Sequence, residues 1–208
     1  MKPLIRPAQP EDAPLAVPLL ASTLGDLGQD IFGLGSPERL RHVLGIFFIS
    51  PGHRMSYQVG YIAEVGGIPA GLLMAFPGRR LLRLSLGLVP CIFQAYSFNE
   101  RWQLIRRGTH LLARPGFSLT LEARPDEFYV AHLATHPDVR RQGLGSALLM
   151  FAERLANAAG LSKIALLVAA DNLAAIRLYE KSGFIAQPTH GHQPYYFRMV
   201  KFLTKRSL

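Results

Sequence analysis

Residues 139–146, with the sequence Val-Arg-Arg-Gln-Gly-Leu-Gly-Ser, lie between an apolar run and an amphipathic segment. A strand that leads into two closely spaced glycines and then into a helix commonly forms a backbone site for a phosphate group. Glycine lets the main chain approach a phosphate without a Cβ atom in the way, and the unpaired first-turn N–H groups of the helix point toward the same place. This spacing predicts a strand–turn–helix unit that binds a phosphate or pyrophosphate.

The residues around the two glycines exclude two common phosphate-binding motifs. A P-loop ends in Gly-Lys-Ser or Gly-Lys-Thr, and the sequence contains neither triplet. The dinucleotide-binding fingerprint needs a small residue at the position of Leu148, because the helix packs closely on the strand there. What remains is the pattern Arg-x-x-Gly-x-Gly, which runs from Arg140 to Gly145.

Two segments resemble motifs of the GNAT superfamily of N-acetyltransferases. Residues 133–149 resemble its acetyl-CoA-binding motif, and residues 172–184 resemble its Asn-x-x-Ala-x-x-x-Tyr-x-x-x-Gly-Phe element. The opening Ile-Arg-x-Ala-x-x-x-Asp at residues 5–12 is also common in this family. The resemblance implies a mixed α/β (α+β) fold of the acyl-CoA N-acyltransferase type. Such a fold has a central, mostly antiparallel sheet with one splayed parallel strand pair and flanking helices.

Apolar periodicity and turn residues predict the order of strands and helices along one domain that spans residues 1–208. Ser36 and Pro37 mark a helix start, and Gly66-Gly67 marks a hairpin turn. Asp171 is predicted to cap the helix that ends at Gly183-Phe184. The predicted elements are strand 4–6, helix 12–24, helix 37–48, strand 55–65, strand 68–76, strand 127–135, helix 144–159, strand 163–169, helix 172–182 and strand 193–202.

Residues 79–125 form a connection longer than an ordinary link between neighbouring strands. Apolar residues at 81–86, 102–105 and 111–112 recur at a spacing that predicts helices. In the minimal GNAT fold a short hairpin joins these strands, so the resemblance implies a helical insertion at 79–125. Three roles stay open for it: shaping the acceptor pocket, packing on the sheet, or contacting a second copy of the chain.

Composition and charge limit the broad class of protein. The 208 residues include one cysteine, Cys91, which excludes an internal disulfide and favours a reducing compartment. The N-terminus lacks the apolar run of a signal peptide, and no apolar stretch is long enough to span a bilayer, so a cytoplasmic location is expected. The net charge of +9 is spread over separate arginine pairs, which argues against nucleic-acid binding. A polyanionic cosubstrate explains part of this charge, and the rest is unassigned.

By resemblance, the pantetheine arm of acetyl-CoA lies along the strand at residues 133–135, in a slot opened by a splay from the next parallel strand. Backbone N–H groups near Leu133 are then expected to bind the thioester oxygen. Asn172 is expected to touch the pantetheine, and the hydroxyl of Tyr179 to lie at the sulfur as general acid. No metal ion is expected. The residues expected to bind the cosubstrate are Leu133, Ala134, Thr135, Arg140, Arg141, Gln142, Gly143, Leu144, Gly145, Ser146, Asn172 and Tyr179.

The sequence does not assign the general base. In the family a Glu or His often stands at positions that align with Tyr129 or Ala131. Glu127 shares the strand face of Tyr129, whereas strict alternation turns His132 to the opposite face unless a bulge re-aims it. The His-Gly-His run at 190–192 is a further candidate base, and a poor metal site because it lacks a third ligand. A water molecule acting through backbone carbonyls is an equal alternative.

The sequence predicts an enzyme that transfers an acetyl group from acetyl-CoA to a primary amine of a small molecule or peptide, with Tyr179 as general acid. One alternative is an acyl-CoA-binding regulatory module without catalysis. Another is a basic membrane-surface or nucleic-acid-binding protein, based on the charge and on residues 84–98, whose apolar face is more simply explained as core. On the favoured hypothesis no nucleic-acid or membrane partner is expected, and a homodimer stays open.

Overall fold

One mixed sheet organises the residues that the computed structural model describes, which are 3–112, 122–187 and 196–204. Its strands are β1 (Leu4–Pro7), β2 (Gly60–Val65), β3 (Ile68–Pro77), β4 (Phe128–Thr135), β5 (Lys163–Ala169), β6 (Ile185–Ala186) and β7 (Tyr196–Phe202). Their order across the sheet is β1-β2-β3-β4-β5-β7-β6. Every neighbouring pair is antiparallel except β4 and β5, which run parallel. The predicted fold, a mostly antiparallel sheet with one parallel pair, is confirmed.

Helices cover both faces of this sheet. They are α1 (Ala13–Ile31), α2 (Pro37–Ile49), α3 (Leu81–Leu86), α4 (Leu88–Ala95), α5 (Phe98–Leu112), α6 (Leu144–Ala158) and α7 (Leu173–Lys181). One hydrophobic core joins α1, α2 and α4 to one face of the sheet, and a second core joins α6 and α7 to the other face. None of the helices in the described ranges combines the length and apolarity needed to cross a membrane.

Side-chain alternation along β3 separates the two cores. Leu72 and Met74 point toward α1 and α2, whereas Leu73 and Ala75 point toward α6, and all four are at most 4% exposed. The predicted apolar strand Lys163–Ala169 is β5, which lies inside the sheet between β4 and β7. Ile164, Leu166 and Val168 pack in the core on the α6 side, and Ala165, on the other face by alternation, is also fully buried. Burial of residues on both faces accounts for the nearly continuous apolar run.

Two turn signals act as the sequence predicts. Gly66 and Gly67 have φ angles of 62° and 79°, and positive φ at both residues is what a two-residue type I′ turn between β2 and β3 requires. The hydroxyl oxygen of Ser36 accepts a hydrogen bond from the backbone N–H of Arg39 at 3.1 Å. Ser36 is therefore the N-cap of α2, as its position before a proline indicates.

Other boundaries differ from the prediction. The strand predicted from Met55 begins only at Gly60, because the intervening residues form a 3-10 turn in which Ser56 accepts a hydrogen bond from the N–H of Gln58 at 3.2 Å. The helix predicted to end at residue 24 resumes after Gly25, whose φ of 55° and ψ of −151° break α1. The last strand is β7, and residues 193–195 of its predicted range lie outside the described residues.

Helices α3, α4 and α5 lie within residues 81–112 of the insertion predicted at 79–125, whereas its described residues 122–125 are not helical. Cys91 and Ala95 of α4 are buried, and the guanidinium of Arg39 on α2 donates to the carbonyl of Ala95 at 2.7 Å. The hydroxyl of Tyr96 donates to the carbonyl of Phe32 at 2.6 Å. These contacts hold the insertion on the layer formed by α1 and α2. Residues 113–121 lie outside the described ranges.

A buried ion pair joins the start of β4 to β7. The carboxylate of Glu127 accepts a hydrogen bond from the guanidinium of Arg198, and the two side chains are 2% and 5% exposed. The same carboxylate accepts from the backbone N–H of Arg124 at 2.9 Å. Because an unpaired charge in the interior is costly, the buried carboxylate of Glu127 depends on the positive charge of Arg198.

Replacing Glu127 with glutamine is expected to lower the free energy of unfolding by about 1.5–3 kcal/mol, since the buried guanidinium loses one charged hydrogen-bond partner. Urea unfolding followed by circular dichroism measures the change. Asp126→Asn is the matched control, because Asp126 pairs with Lys163 at 2.7 Å while the two side chains are 59% and 30% exposed. The decrease in unfolding free energy caused by Asp126→Asn should be much smaller. Equal losses in the two variants would contradict the stabilising role of the buried pair.

Candidate functional site

β4 and β5 separate partway along their length. Pairing between them is limited to residues 128–130 of β4 and 164–166 of β5. β5 continues to Ala169 with β7 on its other edge, and β4 continues to Thr135 with β3 on its other edge. Within the described ranges, the edge of β4 at residues 131–135 therefore faces a slot rather than a strand.

A β-bulge marks the point of separation. Positions 74 and 75 of β3 pair with positions 132 and 130 of β4, so Ala131 is an extra residue in β4. Ala131 and His132 consequently both lie toward the α1 side, and Leu133 packs on the α6 side. The orientation of His132 depends on this bulge. Simple alternation along β4 would place its side chain on the opposite face of the sheet, which is wrong. Bulges also increase local twist, which turns the end of β4 away from β5.

The hydrogen-bond pattern of β4 decides which amides face the slot. The N–H of His136 donates to the carbonyl of Ala70, beside β3, at 2.7 Å. In an antiparallel pair every second residue bonds to the same partner strand, so the N–H groups of Leu133 and Thr135 point away from β3. These two amides line the slot, within the strand segment where the sequence predicts the pantetheine arm.

After β4 the chain enters α6 through two residues with positive φ. Arg141 has a φ of 62°, and Gly143, the N-cap of α6, has a φ of 80°. A Cβ atom built on Gly143 would meet no atom within 4 Å, so the space in front of this turn is open. The N–H groups of residues 144–146 have no acceptor among the described residues. Unpaired amides at a helix N-terminus favour an anion there.

Gly145 sits where α6 meets α7. A Cβ atom on this residue would lie 3.0 Å from Cδ2 of Leu178 on α7, so a larger residue here would have to displace the Leu178 side chain. Arg140 and Arg141 are exposed and form no ion pair with a carboxylate of the described chain. Their charges therefore add to the positive end of the α6 dipole.

Asn172 is the N-cap of α7, so the prediction that Asp171 caps this helix is wrong. The side-chain oxygen of Asn172 accepts a hydrogen bond from the N–H of Ala175 at 3.1 Å. Asp and Asn cap helices about equally well, and the two adjacent candidates could not be separated by residue type. The NH₂ group of Asn172, which the cap does not use, lies at the surface.

Tyr179 lies in the core between α6, α7 and the sheet, and is 7% exposed. Gly183, with a φ of 87°, ends α7, and the N–H of Phe184 donates back to the carbonyl of Tyr179 at 3.0 Å. This reversal places the rings of Tyr179 and Phe184 5.9 Å apart, centroid to centroid. Burial raises the pKa of Tyr179 to about 12, so its hydroxyl keeps its proton at neutral pH. That hydroxyl makes no hydrogen bond to any residue the structure describes.

His132 presents a buried hydrogen-bond acceptor on the α1 side of the sheet. Its Nδ1 lies 2.8 Å from the hydroxyl of Thr23, which itself donates to the carbonyl of Leu20 at 2.8 Å. The hydroxyl therefore has only lone pairs left, so Nδ1 carries the proton and Nε2 is an acceptor. Nε2 is fully buried and has no partner in the described part of the chain. Burial, with a smaller contribution from the charge of Arg54, lowers the pKa of His132 to about 3.

Thr23 is a residue of this cluster that the sequence did not indicate. It precedes His132 by 109 residues. Threonines inside helices usually bond back to their own helix, as Thr23 does to Leu20, so no local signal distinguishes it. Only the packing of α1 on β4 brings the hydroxyl and the imidazole together.

Among the described residues, the other candidates for a general base do not supply one. Ala131 has no titratable group, and burial raises the pKa of Tyr129 well above its usual value. Glu127 is held by Arg198. The His-Gly-His run at 190–192 lies outside the described residues. Across the described ranges, no three His, Cys, Asp or Glu side chains gather into a possible metal site.

Comparisons with known proteins agree with this fold. A model of the acetyltransferase (GNAT) family matches residues 51–184. The fold is similar to that of an acetyltransferase crystal structure (25% identity, TM-score 0.69, covering 97% of this chain and 100% of that one). It is also similar to an N-acetyltransferase from Staphylococcus aureus Mu50 (23%, TM-score 0.68, 95% and 99%). A third similar structure is the PaiA N-acetyltransferase from Thermoplasma acidophilum in complex with coenzyme A (15%, TM-score 0.54, 97% and 99%).

A search of curated protein sequences found no significant match to this chain. The family model, however, matches well over half of the chain, from the turn before β2 to the end of α7. That range includes the splayed strands, the glycine turn and Tyr179. The chain belongs to the acetyltransferase (GNAT) family.

Proposed function

We propose that this protein is an N-acetyltransferase that transfers the acetyl group of acetyl-CoA to a primary amine of a small molecule or peptide. The observation that carries the proposal is the unpaired edge of β4, which leads directly into the open glycine turn at the N-terminus of α6. An extended arm can pair with a strand edge, and a phosphate is stabilised at a helix N-terminus. Membership of the GNAT family supports the assignment, and one structure of the same fold is a complex with coenzyme A.

The residues around the slot and the turn fit this cosubstrate. The open space in front of Gly143 and the unpaired first-turn amides of α6 suit a diphosphate, and Arg140 and Arg141 add positive charge. The amides of Leu133 and Thr135 suit the polar groups of an extended arm in the slot. We therefore assign cosubstrate binding to residues 133–135 and 140–146, together with Asn172 and Tyr179.

When bound, acetyl-CoA supplies an acetyl group activated as a thioester. The N–H of Leu133 is assigned to polarise the carbonyl oxygen that lies in the slot. Tyr179 is assigned as general acid, because its phenol holds a proton at neutral pH and is buried. A phenol with a pKa of about 12 can protonate a thiolate only where the thiolate is also desolvated. The apolar surroundings of Tyr179 provide that condition.

On the other side of the bulge, we assign His132 no role in proton transfer. Its Nε2 is a buried acceptor without a partner in the described residues, and Thr23 fixes the imidazole. With a pKa of about 3, this imidazole is too weak a base to hold the proton of an ammonium group.

Gly143→Asp and Gly143→Asn test the turn as a matched pair. Both side chains tolerate positive φ better than most, and the space in front of Gly143 is open. Asp places a carboxylate where the diphosphate is expected. Acetyl-CoA should therefore raise the melting temperature of the wild type and of Gly143→Asn, but not of Gly143→Asp. Equal shifts in the two variants, measured by scanning fluorimetry, would remove the turn from the binding site.

Tyr179→Phe is expected to reduce turnover by about 10²–10⁴-fold, because the general acid is lost, while the affinity for acetyl-CoA changes little. Release of the CoA thiol is measured with amino acids, peptides, polyamines and aminoglycosides as acceptors. Tyr61→Phe is the control, since Tyr61 is partly buried against Phe151 at 5.0 Å between ring centroids and has no assigned role. Wild-type turnover in Tyr179→Phe would exclude this tyrosine as the acid.

His132→Asn tests the buried neutral imidazole through the pH dependence of stability. The folded-state pKa of about 3 lies below the unfolded value near 6.5, so between these pH values the proton is bound only on unfolding. Stability of the wild type should fall as the pH decreases through this window, by up to about 1.4 kcal/mol per pH unit from this residue. Asn keeps a donor toward Thr23 but does not titrate.

Unfolding free energies of the wild type and His132→Asn are measured from pH 4 to 8. In the acidic range the unfolding free energy of the variant should depend less steeply on pH, because one proton fewer is bound on unfolding. At pH 8, where the imidazole of the wild type is neutral in both the folded and unfolded states, the two slopes of unfolding free energy against pH should agree. Identical slopes at every pH would show that His132 is not buried as a neutral side chain.

A further inference from the structure

Helices α3 and α4 expose a row of large apolar side chains. Leu82, Leu86, Val89 and Phe93 are 72%, 61%, 44% and 62% exposed. Their spacing of four, three and four residues places them on one side of a helix. Gly87, between the two helices, keeps helical dihedral angles (φ −61°, ψ −17°), so the row continues from α3 into α4.

Helix α5 extends this row. Phe98, Trp102 and Ile105 are 66%, 60% and 55% exposed and again follow a helical spacing. The guanidinium of Arg101 lies 4.7 Å from the ring centroid of Phe93 and 5.9 Å from that of Phe98, which joins the two helices. We call these seven side chains of α3, α4 and α5 the apolar stripe. They are half of the fourteen exposed large apolar residues in the described ranges, so they form a patch rather than a random scatter.

The same segment carries most of the excess positive charge. Residues 79–112 contain six arginines and one acidic residue, Glu100, a net charge of +5 out of +9 for the chain. Glu100 is paired with Arg39 of α2 at 2.8 Å. By contrast, Arg79, Arg80, Arg83 and Arg106 are exposed and form no ion pair within the described residues. Charge and apolar surface are therefore concentrated on the same helices.

We propose that the apolar stripe and its arginines dock on the surface of an anionic lipid bilayer. Apolar side chains of an amphipathic helix enter the boundary of the acyl chains, and basic residues contact the lipid phosphates. Trp102 suits this boundary, where tryptophan is enriched. Trp102, Ile105 and Arg106 also line an open depression of about 550 Å³. The inference stands independently of the proposed acetyl transfer.

Charge and apolar surface together favour an anionic bilayer over two other partners, a second copy of the chain and a nucleic acid. In a symmetric dimer the patch would face its own copy, and two surfaces of charge +5 repel each other at such a contact. Nucleic acid would neutralise the arginines but would leave the leucine and phenylalanine side chains without an apolar partner. An anionic bilayer satisfies both the charge and the apolar surface.

Co-sedimentation of the full chain with lipid vesicles tests the proposal. Binding is expected to vesicles of mixed phosphatidylcholine and phosphatidylglycerol, and to weaken as salt increases. Vesicles of phosphatidylcholine alone should bind much less. Equal binding to both vesicle types, or to neither, would overturn the proposal. So would salt-dependent binding to a DNA duplex that matches or exceeds binding to the anionic vesicles.

Variants then locate the contact. Phe93→Ser with Trp102→Ser is expected to weaken vesicle binding at least tenfold, and Arg83→Gln with Arg106→Gln by about fivefold for each arginine. The controls are Ile68→Ser with Met150→Ser, at exposed apolar positions on other elements, and Arg41→Gln with Arg154→Gln, at exposed arginines elsewhere. All eight substitutions are on exposed side chains, so melting temperatures should stay close to that of the wild type.

The result that supports the proposal is a loss of binding in the stripe and arginine variants with wild-type binding in both controls. Equal effects in stripe and control variants would overturn it. Sedimentation velocity without lipid gives a second criterion. A wild-type dimer that the stripe variants dissociate would overturn the bilayer assignment and make this surface an interface between copies of the chain.

Discussion

The loss of pairing between β4 and β5 is the constraint on which the rest of the site depends. Backbone N–H and C=O groups in the middle of a sheet need partners, and β4 gives up those on one edge after residue 130. A strand edge inside the protein is stable when a ligand or solvent replaces the missing strand. The unpaired backbone groups are unfavourable for the sheet alone, but an extended molecule in the open slot can pair with them.

One extra residue connects the two sides of this site. The bulge at Ala131 sends His132 toward Thr23 on α1 and Leu133 toward α6. In a regular strand without the extra residue, the side chain of His132 would lie on the opposite face of the sheet. Its acceptor nitrogen would then point into the apolar core around α6. The bulge thus sets the strand's twist, the direction of its amides and the position of a buried polar group at the same time.

Local signals made much of this architecture predictable. The glycine turn, the start of α6 at Leu144 and the full extent of β5 follow from residue types within a few positions of each other. The bulge could not be predicted from nearby residue types, because it is fixed by the pairing of β4 with β3 rather than by any residue of β4 itself. The contact between Thr23 and His132 likewise depends on how a helix packs. The prediction that an apolar face near residues 84–98 is core is correct for Leu84, Leu88, Cys91 and Ala95. The sequence did not predict that Leu86, Val89 and Phe93 are exposed on another side, because periodicity identifies a face but not what covers it.

The +5 charge of residues 79–112 lies beside the apolar stripe and away from the glycine turn. Arg140 and Arg141 lie at the N-terminus of α6, which packs on one face of the sheet, whereas the +5 segment packs on the α1–α2 layer of the other face. A single polyanionic cosubstrate cannot neutralise both regions, since the sheet lies between them. Buried Leu84, Leu88 and Cys91 hold α3 and α4 to the α1–α2 core, so their opposite side is presented outward on a fixed support. A basic, apolar surface held in this way suits an anionic and apolar partner, which could bind while the glycine turn stays open.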